Sequence, residues 1–169
     1  IMAMIPTLVF GVVLFEYTVR FVCSCIVKVF YKITVHGAEN IPSQGGALII
    51  CNHVSYADPA ILEAAQDRAV YFIMYRNFYN LPFLKPFYKL YKTVPISSQD
   101  NLSQMRDSIR QARKLLEEGK VVCIFPEGQM TKNGNLASFK NGYELIVKDI
   151  DCKIIPAYIG GIWKSCFSY

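Results

Sequence analysis

Short apolar runs separated by polar loops recur along this chain, and their lengths predict buried β-strands. The runs at residues 47–51, 70–74 and 121–125 contain no charged side chain, which is typical of parallel strands that are covered on both faces. Residues 32–36 instead alternate between polar and apolar side chains, as a half-buried strand does. Strands are predicted at residues 32–36, 47–51, 70–74, 93–96, 121–125 and 153–159.

Helical periodicity occupies several of the intervals between these strands. At residues 100–118, apolar side chains recur every three or four positions, and Gly119 marks the end of the helix. Helices are also predicted at residues 59–65, where Pro59 suits a first turn, and at 139–148. Strands that alternate with helices indicate an α/β fold in which a mostly parallel central sheet is flanked by helices.

Residues 1–31 form a separate apolar segment that is predicted to be helical and to associate with a membrane. Its first charged residue is Glu16, so the uncharged run is shorter than the roughly 20 residues that a spanning helix needs. We therefore expect one or two helices lying in the membrane interface; the alternative is a true span completed by residues upstream. Residues 32–169 are expected to form the main domain, and because the chain begins with Ile1 we expect it to be a fragment of a longer multidomain protein.

The composition favours a membrane partner over nucleic acid. Charged residues make up 18% of the chain, against roughly 25% in an average soluble domain. The net charge is +5, and residues 79–92 mix aromatic side chains with lysines, which suits the headgroup layer of an anionic bilayer. Single-stranded nucleic acid accepts the same mixture, but the chain is too apolar and carries no nucleic-acid motif. The six cysteines lack zinc-site spacing and fit a reducing compartment.

His53 and Asp58 are the first candidates for chemistry. They lie five positions apart, just after the apolar run 47–51, where α/β proteins place their sites at the carboxyl edge of the sheet. Pro59 biases Asp58 away from helical geometry, so a loop can fold the carboxylate onto the imidazole. Such a pair makes a general base with a fixed tautomer. The alternative is an ordinary structural hydrogen bond between the two side chains.

Two further strand ends bring candidate residues towards the same edge. Glu127 and Gly128 follow the run 121–125, and the glycine allows a ligand or a backbone to approach closely. Arg76 follows the run 70–74, where its guanidinium fork could bind a phosphate. The alternatives are an ordinary turn for the glutamate and a solvated surface arginine.

Other types of site have weaker support. Ser55 is close to His53 but lacks the surroundings of a nucleophile elbow. Cys51 ends an apolar strand, which favours packing over thioester chemistry. The chain has no Walker-type phosphate loop and no dinucleotide-binding fingerprint, which argues against kinase and dehydrogenase functions.

Four motifs, in the right order, resemble those of the glycerolipid acyltransferase superfamily. His53 and Asp58 resemble its His-x4-Asp motif, Arg76 resembles the arginine of its second motif, and residues 125–128 (Phe-Pro-Glu-Gly) resemble its third. Residues 155–157 resemble its proline-centred fourth motif. Residues 126–136 and the tail 161–168 are similar to bacterial acyltransferase domains fused to lysophospholipid transporters and acyl-carrier-protein ligases.

The resemblance implies that the chain is a membrane-associated O-acyltransferase of phospholipid synthesis or remodelling. His53 would act as general base on a lysophospholipid hydroxyl, and Asp58 would orient it. The acyl donor would be acyl-CoA or acyl-carrier protein, with no cofactor and no metal. Gln129 stands where the family usually has Arg or Thr, so phosphate binding would depend more on Arg76 and Lys132. The substrate-binding residues would be Asn52, Ser55, Arg76, Glu127, Gly128 and Gln129.

The resemblance also implies a location and partners. We expect the chain at the cytoplasmic face of a bacterial inner membrane, in contact with phospholipid and lysophospholipid and fused to, or partnered with, transporter and ligase domains. One alternative is an acyltransferase that acts on lysophosphatidic acid or glycerol 3-phosphate. An alternative of another class is a non-catalytic lipid-binding or membrane-binding module that keeps the fold.

Overall fold

Residues 4–83 and 85–168 are described by the computed structural model. In the part of the chain that it describes, five strands form one sheet in which every neighbouring pair is parallel. The strand order is β3-β2-β4-β1-β5, so the carboxyl ends of all five strands lie along one edge. The strands are β1 (Ala47–Cys51), β2 (Val70–Tyr75), β3 (Val94–Ile96), β4 (Val121–Ile124) and β5 (Lys153–Ala157).

Helices cover both faces of this sheet, as the sequence predicted. Neighbouring residues of β1 point to opposite faces: Leu48 packs with one hydrophobic cluster and Ile49 with the other. Helices α1 and α2 contribute to the Ile49 cluster, and α5 and α6 contribute to the Leu48 cluster. The helices are α1 (Met4–Phe30), α2 (Asp58–Ala64), α3 (Arg76–Tyr79), α4 (Lys85–Leu90), α5 (Leu102–Glu117) and α6 (Gly142–Val147).

Helix α5 agrees closely with its amphipathic sequence. Asn101 caps it in a reciprocal arrangement with Gln104, each side chain accepting a hydrogen bond from the backbone N–H of the other. Ala112, Leu115 and Leu116 are buried against the sheet. Gly119 follows with a φ of 75°, a conformation that glycine adopts without strain, and the chain then enters β4.

Helix α1 packs against α2 and leaves apolar side chains exposed. Val27 is buried in the core, and Arg20 forms a 2.9 Å ion pair with Glu63 of α2. Tyr17, Phe21 and Val29 are 64%, 70% and 80% exposed. Among the described residues, no helix combines the length and the apolar character needed to cross a membrane.

The prediction of a strand at residues 32–36 is wrong. This segment has no regular secondary structure, and its alternation has another cause. Ile33 packs against the hydrophobic core beside Tyr31, while the side chains of Lys32 and Thr34 are exposed. The short helices α3 and α4 were not predicted, because their aromatic and proline-containing sequence lacks helical periodicity.

Candidate active site

The loop between β1 and α2 is organised by the carboxylate of Asp58. Its Oδ2 atom accepts hydrogen bonds from His53 Nδ1 at 2.7 Å, from the Val54 N–H at 2.8 Å and from the Ser55 N–H at 3.0 Å. Asp58 is fully buried, whereas the His53 side chain is 20% exposed. The carboxylate therefore shapes the loop and fixes the imidazole at the same time.

The His53 ring is oriented so that one nitrogen remains available. Because a carboxylate only accepts hydrogen bonds, the contact with Asp58 places the proton on Nδ1. The ring stacks on Phe125 with centroids 4.2 Å apart and planes inclined by 19°. Nε2, whose lone pair can accept a proton, has no hydrogen-bonding partner among residues 4–83 and 85–168. The arrangement suits a general base.

Glu127, which follows the neighbouring strand β4, holds the main chain of His53. One carboxylate oxygen, Oε1, accepts the His53 N–H at 2.8 Å, and Oε2 accepts the Ala137 N–H at 2.8 Å. The Thr131 N–H donates to the His53 carbonyl at 2.9 Å. Since β1 and β4 are adjacent and parallel, the two candidates meet at the carboxyl edge of the sheet. Glu127 is 4% exposed, and both its oxygens serve backbone groups.

Asn52 and Ser55 connect this loop to the end of the chain. The Asn52 side chain exchanges two hydrogen bonds with the backbone of Ile159, at 2.7 and 2.9 Å. The Ser55 hydroxyl donates to the Phe167 carbonyl at 3.0 Å, and the Tyr56 N–H donates to the same oxygen at 2.9 Å. Both predicted substrate-binding side chains are buried and are engaged in these contacts, so their binding role stays a prediction.

Arg76 lies at the end of β2 and is engaged with neighbouring elements of the fold. Its Nε and Nη2 bind the Asp100 carboxylate at 2.5 and 2.8 Å, and Nη2 also donates to Ser108 Oγ and to the Pro95 carbonyl. Hydrogen bonds from Arg76 lower the pKa of Asp100 and raise the pKa of Arg76 itself. The guanidinium is engaged by these partners, and its phosphate-binding role stays a prediction.

The remaining candidate residues are either exposed on a turn, as Gly128 and Gln129 are, or buried in the core, as Cys51 is. Gly128 and Gln129 are exposed on the turn that follows Glu127. Cys51 is fully buried, and burial is the main cause that raises its pKa to about 12, which keeps the thiol protonated near neutral pH. Across the described ranges, no group of three or more His, Cys, Asp or Glu side chains could hold a metal ion.

Sequence reasoning missed the main-chain groups that close the site. The carbonyl of Phe167 and the backbone of Ile159 contact the loop across more than 100 residues of sequence. Backbone groups have no residue-type signature, so no pattern could have indicated them. Asp100 carried a usable signal, because an acidic residue after a strand end can pair with an arginine such as Arg76.

Comparison with known proteins points to one family. A family model described as "Acyltransferase" matches residues 32–160. A chloroplastic 1-acyl-sn-glycerol-3-phosphate acyltransferase of Arabidopsis thaliana is 31% identical over 136 residues, which are 80% of this chain and 38% of that protein. A 1-acyl-sn-glycerol-3-phosphate acyltransferase of Bacillus subtilis is 25% identical over 144 residues, covering 82% of this chain and 70% of that protein.

A solved structure has the same fold. The crystal structure of the 1-acyl-sn-glycerophosphate (LPA) acyltransferase PlsC from Thermotoga maritima matches 83% of this chain and 57% of that chain. The TM-score is 0.63 and the sequence identity is 20%. The chain thus spans little more than half of this structural neighbour and well under half of the Arabidopsis relative.

Replacing Glu127 with Gln tests the main-chain contacts of this residue. Glutamine keeps one acceptor oxygen but turns an NH₂ group towards a backbone N–H, so one of the two bonds is lost. We expect the free energy of unfolding to fall by about 1–3 kcal/mol, measured by urea denaturation. Glu117→Gln on the exposed side of α5 is the control and should change little. Equal stability of the two variants would contradict the contacts.

The pair between Arg76 and Asp100 predicts a pH-dependent contribution to stability. A carboxyl group whose pKa is lowered by folding stabilises the protein above its unfolded pKa of about 3.9. That contribution disappears as the pH falls through the lower folded pKa of Asp100. Asp100→Asn should therefore be less stable than wild type at pH 7, and the difference should shrink below about pH 4.

Denaturation at a series of pH values measures this difference. Asp107→Asn is the control, because Asp107 and its partner Arg110 are 54% and 77% exposed and such surface pairs contribute little. A stability difference for Asp100→Asn that stays constant between pH 7 and pH 3 would show that the ionised pair is not what the substitution removes.

Proposed function

This chain belongs to the acyltransferase family, and from that premise we propose that it transfers a fatty acyl group from a thioester donor to a lysophospholipid hydroxyl. The acceptor that we propose is 1-acyl-sn-glycerol 3-phosphate, because the similar proteins from Arabidopsis thaliana and Bacillus subtilis carry that substrate in their names. Of the possible acceptors, we therefore favour lysophosphatidic acid. The fusion to transporter and ligase domains stays a prediction.

The proposal depends on the orientation of the His53 imidazole. Its Nδ1 is hydrogen-bonded to the buried carboxylate of Asp58, which leaves Nε2 free to accept a proton. Nε2 takes the proton from the acceptor hydroxyl as the oxygen attacks the thioester carbonyl carbon. The C–O bond forms, the C–S bond breaks, and the imidazolium returns the proton to the leaving thiolate. Asp58 stabilises the imidazolium while it exists. The products are an ester and a free thiol.

Direct attack by the lipid hydroxyl is favoured because the two nucleophilic side chains near His53, Cys51 and Ser55, are poorly suited to attack the thioester. The Cys51 thiol is buried and has a pKa of about 12, so it supplies almost no thiolate. The Ser55 hydroxyl donates to the Phe167 carbonyl and is not hydrogen-bonded to His53. We therefore propose a one-step transfer without an acyl-enzyme intermediate, in which no side chain acts as nucleophile. The acyl donor, acyl-CoA or acyl-carrier protein, acts as a substrate rather than a cofactor.

A location at the cytoplasmic face of a membrane is part of the proposal. The exposed apolar side chains of α1, which include Tyr17, Phe21 and Val29, suit the interfacial layer of a bilayer. Phe30 at the end of α1 contacts Phe167 with ring centroids 5.6 Å apart, and the Phe167 carbonyl accepts hydrogen bonds from the His53–Asp58 loop. The helix is thus linked to the candidate site through the tail.

Replacing His53 with Ala tests the proposed base. We expect acyl transfer to fall by roughly 10²- to 10⁴-fold, the range for loss of a general base, while the far-ultraviolet circular dichroism spectrum stays unchanged. The assay uses radiolabelled acyl-CoA and acyl-carrier protein, with lysophosphatidic acid, glycerol 3-phosphate and 2-acyl-glycerophosphoethanolamine as acceptors. His36→Ala is the matched control, because His36 is the other histidine of the chain and is exposed.

Two outcomes would contradict the proposal. Near wild-type turnover of His53→Ala would remove the base assignment. A folded wild-type protein that binds phospholipid vesicles but transfers no acyl group with any donor or acceptor would favour the non-catalytic lipid-binding module.

A further inference from the structure

A lysine lies over the turn that follows Glu127, and the mechanism above does not use it. A Cβ atom built on Gly128 would lie 2.7 Å from Nζ of Lys140, 3.1 Å from its Cε and 3.3 Å from its Cδ. The end of the Lys140 side chain therefore occupies the space that any other residue at position 128 would fill. Gly128 also has a φ of 70°, a second reason for glycine there.

Backbone hydrogen bonds hold the segment of Lys140 on this turn. The Lys140 N–H donates to the Pro126 carbonyl at 2.9 Å, and the Ala137 N–H donates to Glu127 Oε2 at 2.8 Å. The other oxygen of Glu127 accepts the N–H of His53. The backbone segments that carry Lys140 and His53 are thus both hydrogen-bonded to the turn at residues 126–128, at the carboxyl edge of the sheet.

The ammonium group of Lys140 is available to a ligand. Within the described ranges, no carboxylate forms an ion pair with it, and the residue is exposed. The guanidinium of Arg76, in contrast, is shared among Asp100, Ser108 and Pro95. Gln129, next to Gly128, brings no charge. The Glu127 carboxylate beside this turn is buried, and both its oxygens accept backbone N–H groups.

We propose that Lys140 binds the phosphate group of the acceptor lipid beside His53. This inference rests on the proposed function, and it names the residue that selects a phosphate-bearing acceptor. An ammonium group is a compact point charge that suits a phosphate oxygen, and its place over Gly128 keeps it close to the turn. The phosphate then orients the lipid so that its free hydroxyl reaches Nε2 of His53.

Kinetics of Lys140→Met and Lys140→Arg test the inference in the full chain. Methionine keeps an aliphatic stem over Gly128 and removes the charge, so KM for lysophosphatidic acid should rise roughly 10- to 100-fold, the loss expected for a hydrogen bond to a charged group. The kcat should change much less. Lys140→Arg should keep KM within a few-fold of wild type. Lys148→Met, at another exposed lysine, is the control and should behave as wild type.

A second measurement uses glycerol 3-phosphate as a competitive inhibitor against lysophosphatidic acid. Its inhibition constant should rise in Lys140→Met by a factor similar to that of KM. A wild-type KM in Lys140→Met would overturn the inference and show that the side chain only covers the glycine. An increase in KM for Lys132→Met, without one for Lys140→Met, would place the phosphate at Lys132 and also overturn it.

The failures of the two proposals are distinguishable. If wild-type protein transfers no acyl group to any acceptor, the proposed function fails. If wild-type protein is active and Lys140→Met has the same KM and inhibition constant, only the inference about Lys140 fails. Urea denaturation of Lys140→Met verifies that the exposed substitution leaves the fold intact.

Discussion

One atom, Oδ2 of Asp58, holds together the loop on which the candidate site depends. It accepts hydrogen bonds from the imidazole of His53 and from the N–H groups of Val54 and Ser55. Burial of a carboxylate is costly unless donors compensate it, and this loop supplies three donors to a single oxygen. The bonds that stabilise the buried charge also form the turn from β1 to α2 and orient the ring. The folding of this loop and the orientation of the proposed base therefore depend on the same carboxylate oxygen.

The parallel sheet brings the other parts of the site to this loop. Because β1 lies between β4 and β5, the chain segments that follow both neighbours reach the residues after β1. Glu127 and Thr131, after β4, bind the main chain of His53, and Ile159, after β5, binds Asn52. In each of these hydrogen bonds, at least one of the two partners is a backbone group. The strand order therefore positions the site as much as the identity of the side chains does.

The strands and the His-Asp pair could be predicted because each has a local signal. Uninterrupted apolar runs indicate the buried strands β1, β2 and β4, and the spacing of His53 and Asp58 in a predicted loop indicates the pair. The false strand at 32–36 shows the limit of such signals, since Ile33 packs against the core without pairing with another strand. The contact of Ser55 with the Phe167 carbonyl and the ion pair of Arg76 depend on distant parts of the chain, for which a single sequence has no pattern.

The tautomer of His53 tests the central claim most directly. Two-dimensional ¹H–¹⁵N spectra of protein labelled at histidine report which ring nitrogen carries the proton, and a His53→Gln sample assigns the signals. The account predicts that, in the neutral imidazole, the His53 proton is on Nδ1 and Nε2 is unprotonated. A His53 signal with the proton on Nε2 would contradict it, because the nitrogen that must accept the substrate proton would already be occupied.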